Sequence, residues 1–181
     1  MGESILNNKR ILAVDDEPDV LETLEEHLED FEGLIFDTAQ DYETGYHLLR
    51  SWTYDVVILD IMGVRGFDLL NAAHALGYPA VMLTAHAMTR ESLKKSIELG
   101  ARAFIPKEKM ADITQFLEDV LTLNHHRGWL KVFDRLGGFF NKAFGSGWQK
   151  SEEAFWDGVI SGKDMSEPAI LKNSCTTKNL T

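Results

Sequence analysis

The run Ile11-Leu12-Ala13-Val14-Asp15-Asp16-Glu17-Pro18 decides the fold. Four consecutive apolar residues suit a strand buried on both faces, as in a parallel sheet. Two carboxylates close that strand, and Pro18 sits where the first turn of a helix tolerates a missing N–H. The same grammar repeats along the chain. Val56-Val57-Ile58-Leu59 ends at Asp60, Ala80-Val81-Met82-Leu83 at Thr84, and Ala103-Phe104-Ile105 at Pro106-Lys107. Leu34-Ile35-Phe36 is a weaker strand candidate. Helical patterns separate these runs: Leu21, Leu24 and Leu28; Tyr42, Tyr46 and Leu49; Phe67, Leu70 and Leu76; Leu93 and Ile97, capped by Thr89 and stopped at Gly100. Ile113, Phe116, Leu117, Val120 and Leu121 give a fifth helix with a wide apolar stripe. Strand and helix alternate five times, which predicts an α/β, doubly wound, five-stranded parallel sheet.

Such sheets carry their sites beyond the carboxyl ends of the strands. Asp15, Asp16, Asp60, Thr84 and Lys107 all fall there, on strands that this topology makes neighbours. One Asp after a strand is usually a turn or a helix cap. Five such residues converging on one place are not explained that way. Three carboxylates together repel one another and raise their pKa values, which a hard divalent cation relieves. Oxygen ligands with room for water favour Mg²⁺. A lysine and a hydroxyl beside that cation suit a phosphoryl group, whose oxygens take both charge and hydrogen bonds.

Four segments resemble the receiver domain of two-component response regulators: residues 11–18, Asp55-Val56-Val57-Ile58-Leu59-Asp60-Ile61-Met62, Val81-Met82-Leu83-Thr84-Ala85-His86, and 100–107. The resemblance covers roughly residues 8–123 and implies a flavodoxin-like sheet of order 2-1-3-4-5. It implies Asp60 as phosphoryl acceptor and Asp16 as direct Mg²⁺ ligand, with Asp15 acting mainly through water. Asp60 and the backbone carbonyl of Met62 complete the metal set. Thr84 is then the hydroxyl that follows the phosphoryl group, and Lys107 pairs with its oxygens. Phe104 becomes an aromatic switch that turns inward as Thr84 moves. The phosphoryl donor is a sensor histidine kinase or a histidine phosphotransfer protein, and slow hydrolysis of the acyl phosphate is the intrinsic enzymatic activity. A phosphorelay shuttle or phosphate sink, and a phosphorylation-independent scaffold, are the alternatives.

Two departures from the family pattern stand out. Asp60-Ile61-Met62-Gly63-Val64-Arg65-Gly66 lacks the proline after Met62 and is about two residues short, so Gly63 takes over the turn. Glu108 stands where a proline usually follows the lysine. Neither removes a reactive group.

The 181 residues suffice for one domain and an appendage. Net charge is −11, which argues against a nucleic-acid partner. The acid is concentrated: residues 1–124 hold 23 acidic and 10 basic side chains, whereas residues 125–181 hold 6 and 8. The single cysteine, Cys175, the lack of any 18-residue apolar window and the unremarkable start Met1-Gly2-Glu3-Ser4 suggest a cytoplasmic protein. The expected organisation is a receiver at 1–124, a helical extension at 125–162 and a mobile polar tail at 163–181.

In the extension, Trp129, Phe133, Leu136, Phe140 and Phe144 line one helical face within an apolar arc of roughly 140°. Lys131, Asp134, Arg135 and Lys142 lie opposite, and Gly137-Gly138 weakens the helix. Such a face needs a cover. The candidates are its own receiver, a homodimer, an unknown downstream protein, or less readily a membrane surface, which the acidic receiver opposes. Adjacent His125 and His126 diverge on a helix and form no metal site.

Overall fold

The computed structural model describes residues 2–163. Five strands, β1 (Arg10–Val14), β2 (Ile35–Ala39), β3 (Val56–Asp60), β4 (Ala80–Thr84) and β5 (Ala103–Pro106), form one parallel sheet of order β2-β1-β3-β4-β5. Helices α1 (Pro18–Leu28), α2 (Tyr42–Ser51), α3 (Gly66–Ala75), α4 (Arg90–Glu98) and α5 (Ile113–Thr122) connect or follow the strands. A 3-10 turn at Lys107–Asp112 leads into α5. The extension consists of α6 (His125–Phe144), a 3-10 turn at Trp148–Glu152 and α7 (Glu153–Ser161). The expected tail lies outside the described residues apart from Lys163.

The expected sheet and its strand order are present. Every residue of β3, β4 and β5 is buried, as continuous apolar runs demand of strands covered on both faces. The second strand lies one residue later than the run Leu34-Ile35-Phe36 and extends to Ala39. As an edge strand it is half exposed, so its pattern was blurred. Helix starts follow local chemistry. Asp41 accepts from the Thr44 N–H, Asn124 from the Arg127 N–H, and Thr89 with Ser92 forms a capping box at α4. Leu76 caps α3 instead of continuing it.

Helix α6 runs unbroken through Gly137-Gly138. Those glycines cost about 1 kcal/mol each relative to Ala. Against that, Trp129, Val132, Leu136 and Phe140 are buried, each side chain contributing about 1.5–3 kcal/mol. Tertiary burial therefore outweighs propensity. The cover for this face is the chain itself: α6 packs on α5, β5 and α7. Trp129 Nε1 donates to the Ala101 carbonyl at 2.8 Å, and His125 Nε2 lies 3.1 Å from the same oxygen. Phe133 and Phe144 are partly buried against the same core. Of the candidate covers, the chain's own receiver is the one that this structure shows, joined by α7. His126, which the sequence left without a role, holds the end of α7 through the Ile160 carbonyl at 2.7 Å.

Candidate functional site: an acidic pocket at the carboxyl ends of the strands

The pocket arises where β1, β3, β4 and β5 end side by side. Asp15 follows β1 directly and is 2% exposed; Asp60 closes β3 and is 4% exposed. Asp16 is exposed at the rim. One carboxylate oxygen from each of these three lies within 4.8 Å of the others. Asp15 Oδ1 accepts from the Glu17 N–H at 2.9 Å, which fixes the carboxylate plane. Its Oδ2 is buried without a hydrogen-bond partner. Lys107 Nζ is 2.8 Å from that oxygen, close enough for an ion pair, but lies off the hydrogen-bonding line.

Lys107 is the counterion of the whole cluster. Its ammonium lies 2.8 Å from Glu17 Oε1 and 3.4 Å from Asp60 Oδ1, besides Asp15. Burial opposes its charge. Close contacts with the Asp15 and Glu17 carboxylates and the charge of Asp60 more than compensate, so it stays protonated well above the usual lysine range. Burial pushes the Asp60 carboxyl up to about 7, with the neighbouring charge of Asp15 adding to the effect and Lys107 opposing it. Asp15 is raised as well, by burial first, against the pull of Lys107 and the Glu17 N–H. Two carboxylates pushed toward neutrality around one lysine mark an anionic site short of positive charge.

An orphaned buried carboxylate oxygen, three convergent carboxylates and no nitrogen or sulfur donor in the cluster fit a hard divalent cation such as Mg²⁺. Asp15, Asp16 and Asp60 are the side chains able to hold it. Met62 follows in the loop after β3 and is 55% exposed.

Thr84 ends β4 with no exposed surface. Its hydroxyl accepts from the Ala87 N–H at 3.2 Å, which leaves the hydroxyl proton for another acceptor. Phe104 lies on β5, also fully buried, with its ring 6.3 Å from that of Phe140 in α6. Phe104 already lies inward in this structure, beside the extension.

Two contributors escaped the sequence reading. Glu17 was read only as part of a motif, yet it takes one of the three contacts of Lys107. Its position next to Asp16 in the same loop was the available signal. Gly63 was read as a permissive turn, and it has φ of +87°. A Cβ there would also stand 2.4–2.6 Å from the three carboxylate atoms of Asp16. At Gly66 a Cβ would come within 2.0 Å of the Asp60 carbonyl. The shortened loop therefore closes tightly over the pocket, and two missing side chains make that closure possible.

The fold order and this cluster of acids around a lysine define a phosphoryl-receiving domain of the two-component type. The profile of the response regulator receiver domain matches residues 11–118, and the chain belongs to that family. It is similar to the transcriptional regulatory protein CusR of Escherichia coli, at 36% identity over 102 residues, covering 54% of this chain and 44% of CusR. Among solved structures it is similar to the response regulator protein TrrA of Thermotoga maritima in complex with Mg²⁺ and BeF. That likeness has 32% identity and a TM-score of 0.50, covering 60% of this chain and 98% of the other. A two-component response regulator of the LuxR family from Aurantimonas matches at 28% identity and a TM-score of 0.56, covering 62% and 84%. The chain spans less than half the length of CusR, and the match stops short of the extension. Among the described residues, no helix is long and apolar enough to cross a membrane.

Proposed function

We propose that this protein is a phosphorylation-controlled signalling component in which Asp60 accepts a phosphoryl group. The observation that carries this reading is the nearly buried Asp60, set beside two further carboxylates and ion-paired to Lys107. The receiver unit ends near residue 124, and residues 125–162 form an extension docked upon it. The donor is a phosphohistidine of a sensor kinase or a histidine phosphotransfer protein.

An Asp60 carboxylate oxygen forms the new P–O bond while the P–N bond of the phosphohistidine breaks, leaving neutral or protonated imidazole on the donor. Bound Mg²⁺ would neutralise phosphoryl oxygens and hold Asp60 ionised, against the burial that otherwise favours its protonated form. Asp15, Asp16 and Asp60 would hold the cation, and the family resemblance would add the Met62 backbone carbonyl. Lys107 exchanges part of its carboxylate contacts for the incoming phosphoryl oxygens. Thr84 supplies its free hydroxyl proton to one of those oxygens. Water later attacks phosphorus, the bond from phosphorus to the Asp60 oxygen breaks, and inorganic phosphate leaves with Asp60 returned to the carboxylate. The near-complete burial of Asp60 restricts that attack. The downstream contact is a protein surface; the acidic balance of the chain argues against nucleic acid as its direct partner.

The test is incubation with Mg²⁺ and acetyl phosphate, followed by intact-mass measurement. Wild type gains one phosphoryl group and Asp60→Asn gains none. Equal labelling of both proteins overturns the assignment.

A further inference from the structure

We propose that Arg65 is a positioning residue for the metal pocket: clipped between the Tyr42 ring and Asp68, it holds the short loop after β3 closed against Asp16. This rests on the cation site of the reading above.

The signal is a backbone outlier. Among the described residues, only Asn8 and Arg65 combine a side chain with positive φ. Asparagine tolerates the left-handed region through its short polar side chain, whereas the Cβ of an arginine crowds the following carbonyl there. Arg65 nonetheless holds φ of 54° and ψ of 52° at the N-cap of α3, and its side chain makes no capping hydrogen bond. Its carbonyl, aimed by that conformation, accepts from the Asp68 N–H at 3.0 Å and the Leu69 N–H at 3.1 Å and so opens the helix. Left-handed backbone at an unsuited residue persists only where its surroundings over-determine it.

The side chain supplies those surroundings. Arg65 Cζ lies 4.0 Å from the centroid of the Tyr42 ring, at the start of α2. Its Nε is 2.9 Å from Asp68 Oδ2. Both members of that ion pair are exposed, at 61% and 52%, so alone it is a weak tether. The ring face adds a partner on a different helix. Tyr42 is itself fixed: it stacks on Tyr46 at 5.7 Å and 17°, and it follows Asp41, whose side chain caps α2. The clip therefore ties the loop after β3 to α2.

What the clip holds in place is a wall of the pocket. Only residues 61–65 join Asp60 to α3. Val64 is fully buried, and the Gly66 N–H donates to the Ile61 carbonyl at 3.2 Å, which closes the loop on itself. Gly63, in the middle, lies directly against the Asp16 carboxylate. If Arg65 relaxed to right-handed or extended backbone, the peptide between Val64 and Arg65 would swing and draw that wall away from Asp16. A rim carboxylate without a wall spreads over its rotamers and is less well placed for a cation. Arg65 thus acts on the cation through Gly63 and Asp16, by keeping a strained backbone in place.

The test reads the loop and the cation separately, on the full chain. Arg65→Gly frees the backbone and removes the clip; Tyr42→Leu removes the ring and leaves residue 65 untouched. In EDTA the Gly66 amide is protected from exchange in wild type and loses that protection in both variants. Arg65→Gly melts no lower than wild type in EDTA, because glycine takes positive φ without steric cost. Mg²⁺ affinity by calorimetry falls by about tenfold in each variant. It falls no further in the double variant, since the two residues share one contact. Tyr42→Phe keeps the ring face, the Gly66 protection and the wild-type affinity. A merely structural residue would lower melting temperature and affinity together, and that outcome for Arg65→Gly overturns the clip. Wild-type affinity and Gly66 protection in Arg65→Gly and Tyr42→Leu overturn it as well. Neither reading uses phosphoryl transfer. A wild type that binds Mg²⁺ but fails to label at Asp60 therefore overturns the acceptor reading and leaves the clip standing, whereas one that binds no Mg²⁺ overturns both.

Discussion

Asp60→Asn is predicted to stabilise the metal-free protein at neutral and higher pH. Burial and the charge of Asp15 lift the Asp60 carboxyl from its ordinary 3.8 to about 7. Its pKa is thus higher folded than unfolded, so the folded state binds the proton more tightly. The resulting stability is full below the unfolded value and is lost as pH rises through the folded value. The window is therefore about pH 4 to 7. At about 1.4 kcal/mol per pH unit the upper bound is about 4 kcal/mol, and relaxation of the pocket brings the expected effect to about 2–4 kcal/mol. For a domain of this size that corresponds to a rise in Tm of roughly 5–15 °C. The assay is thermal unfolding of both proteins in EDTA from pH 4 to 8. Their Tm values converge near pH 4 and diverge upward, with the variant above wild type. Saturating Mg²⁺ closes the gap, because it binds the wild-type cluster more tightly. A variant no more stable than wild type at pH 8 in EDTA would refute the electrostatic reasoning.

Phe140 touches the rings of Phe104, Phe133, Phe144 and Trp148 and has no exposed surface, so Phe140→Ala costs about 3–5 kcal/mol in a urea titration. A loss under about 1 kcal/mol would mean that the extension is not docked. Gly63→Ala displaces the Asp16 carboxylate and lowers Mg²⁺ affinity by about 10–100-fold by calorimetry, with circular dichroism unchanged. Unaltered affinity would show that the loop yields freely. Lys107→Ala leaves Asp15, Glu17 and Asp60 without their shared cation. The variant then binds Mg²⁺ at least as tightly as wild type but labels more slowly with acetyl phosphate; weaker Mg²⁺ binding would contradict its role as a counterion.

The legible features were those encoded locally. Val56-Val57-Ile58-Leu59-Asp60 states both a doubly buried strand and the residue at its end. The sheet then brings Asp15, Asp60, Thr84 and Lys107 together without further instruction. The β2 boundary was harder because an edge strand with one wet face carries a weaker pattern. Glu17 as a partner of Lys107 depends on a long side chain reaching across from the end of β5, which spacing does not encode. The need for glycine at position 63 comes from the approach of Asp16, 47 residues earlier in the chain. For the extension, an aromatic arc announced that something must cover it, but an amphipathic pattern has no address. The address is supplied by Phe104 and Ala101 on the receiver and by the aromatic rings of α7, of which Trp156 meets Phe133 at 6.2 Å.

The most direct measurement locates the phosphoryl group covalently. The protein is labelled with Mg²⁺ and acetyl phosphate, reduced with borohydride, which converts an aspartyl phosphate to homoserine, digested and sequenced by mass spectrometry. Homoserine is predicted at position 60, and at no other aspartate. Homoserine at Asp15 or Asp16, or a phosphoryl group recovered on a histidine, would contradict the assignment of Asp60 as acceptor.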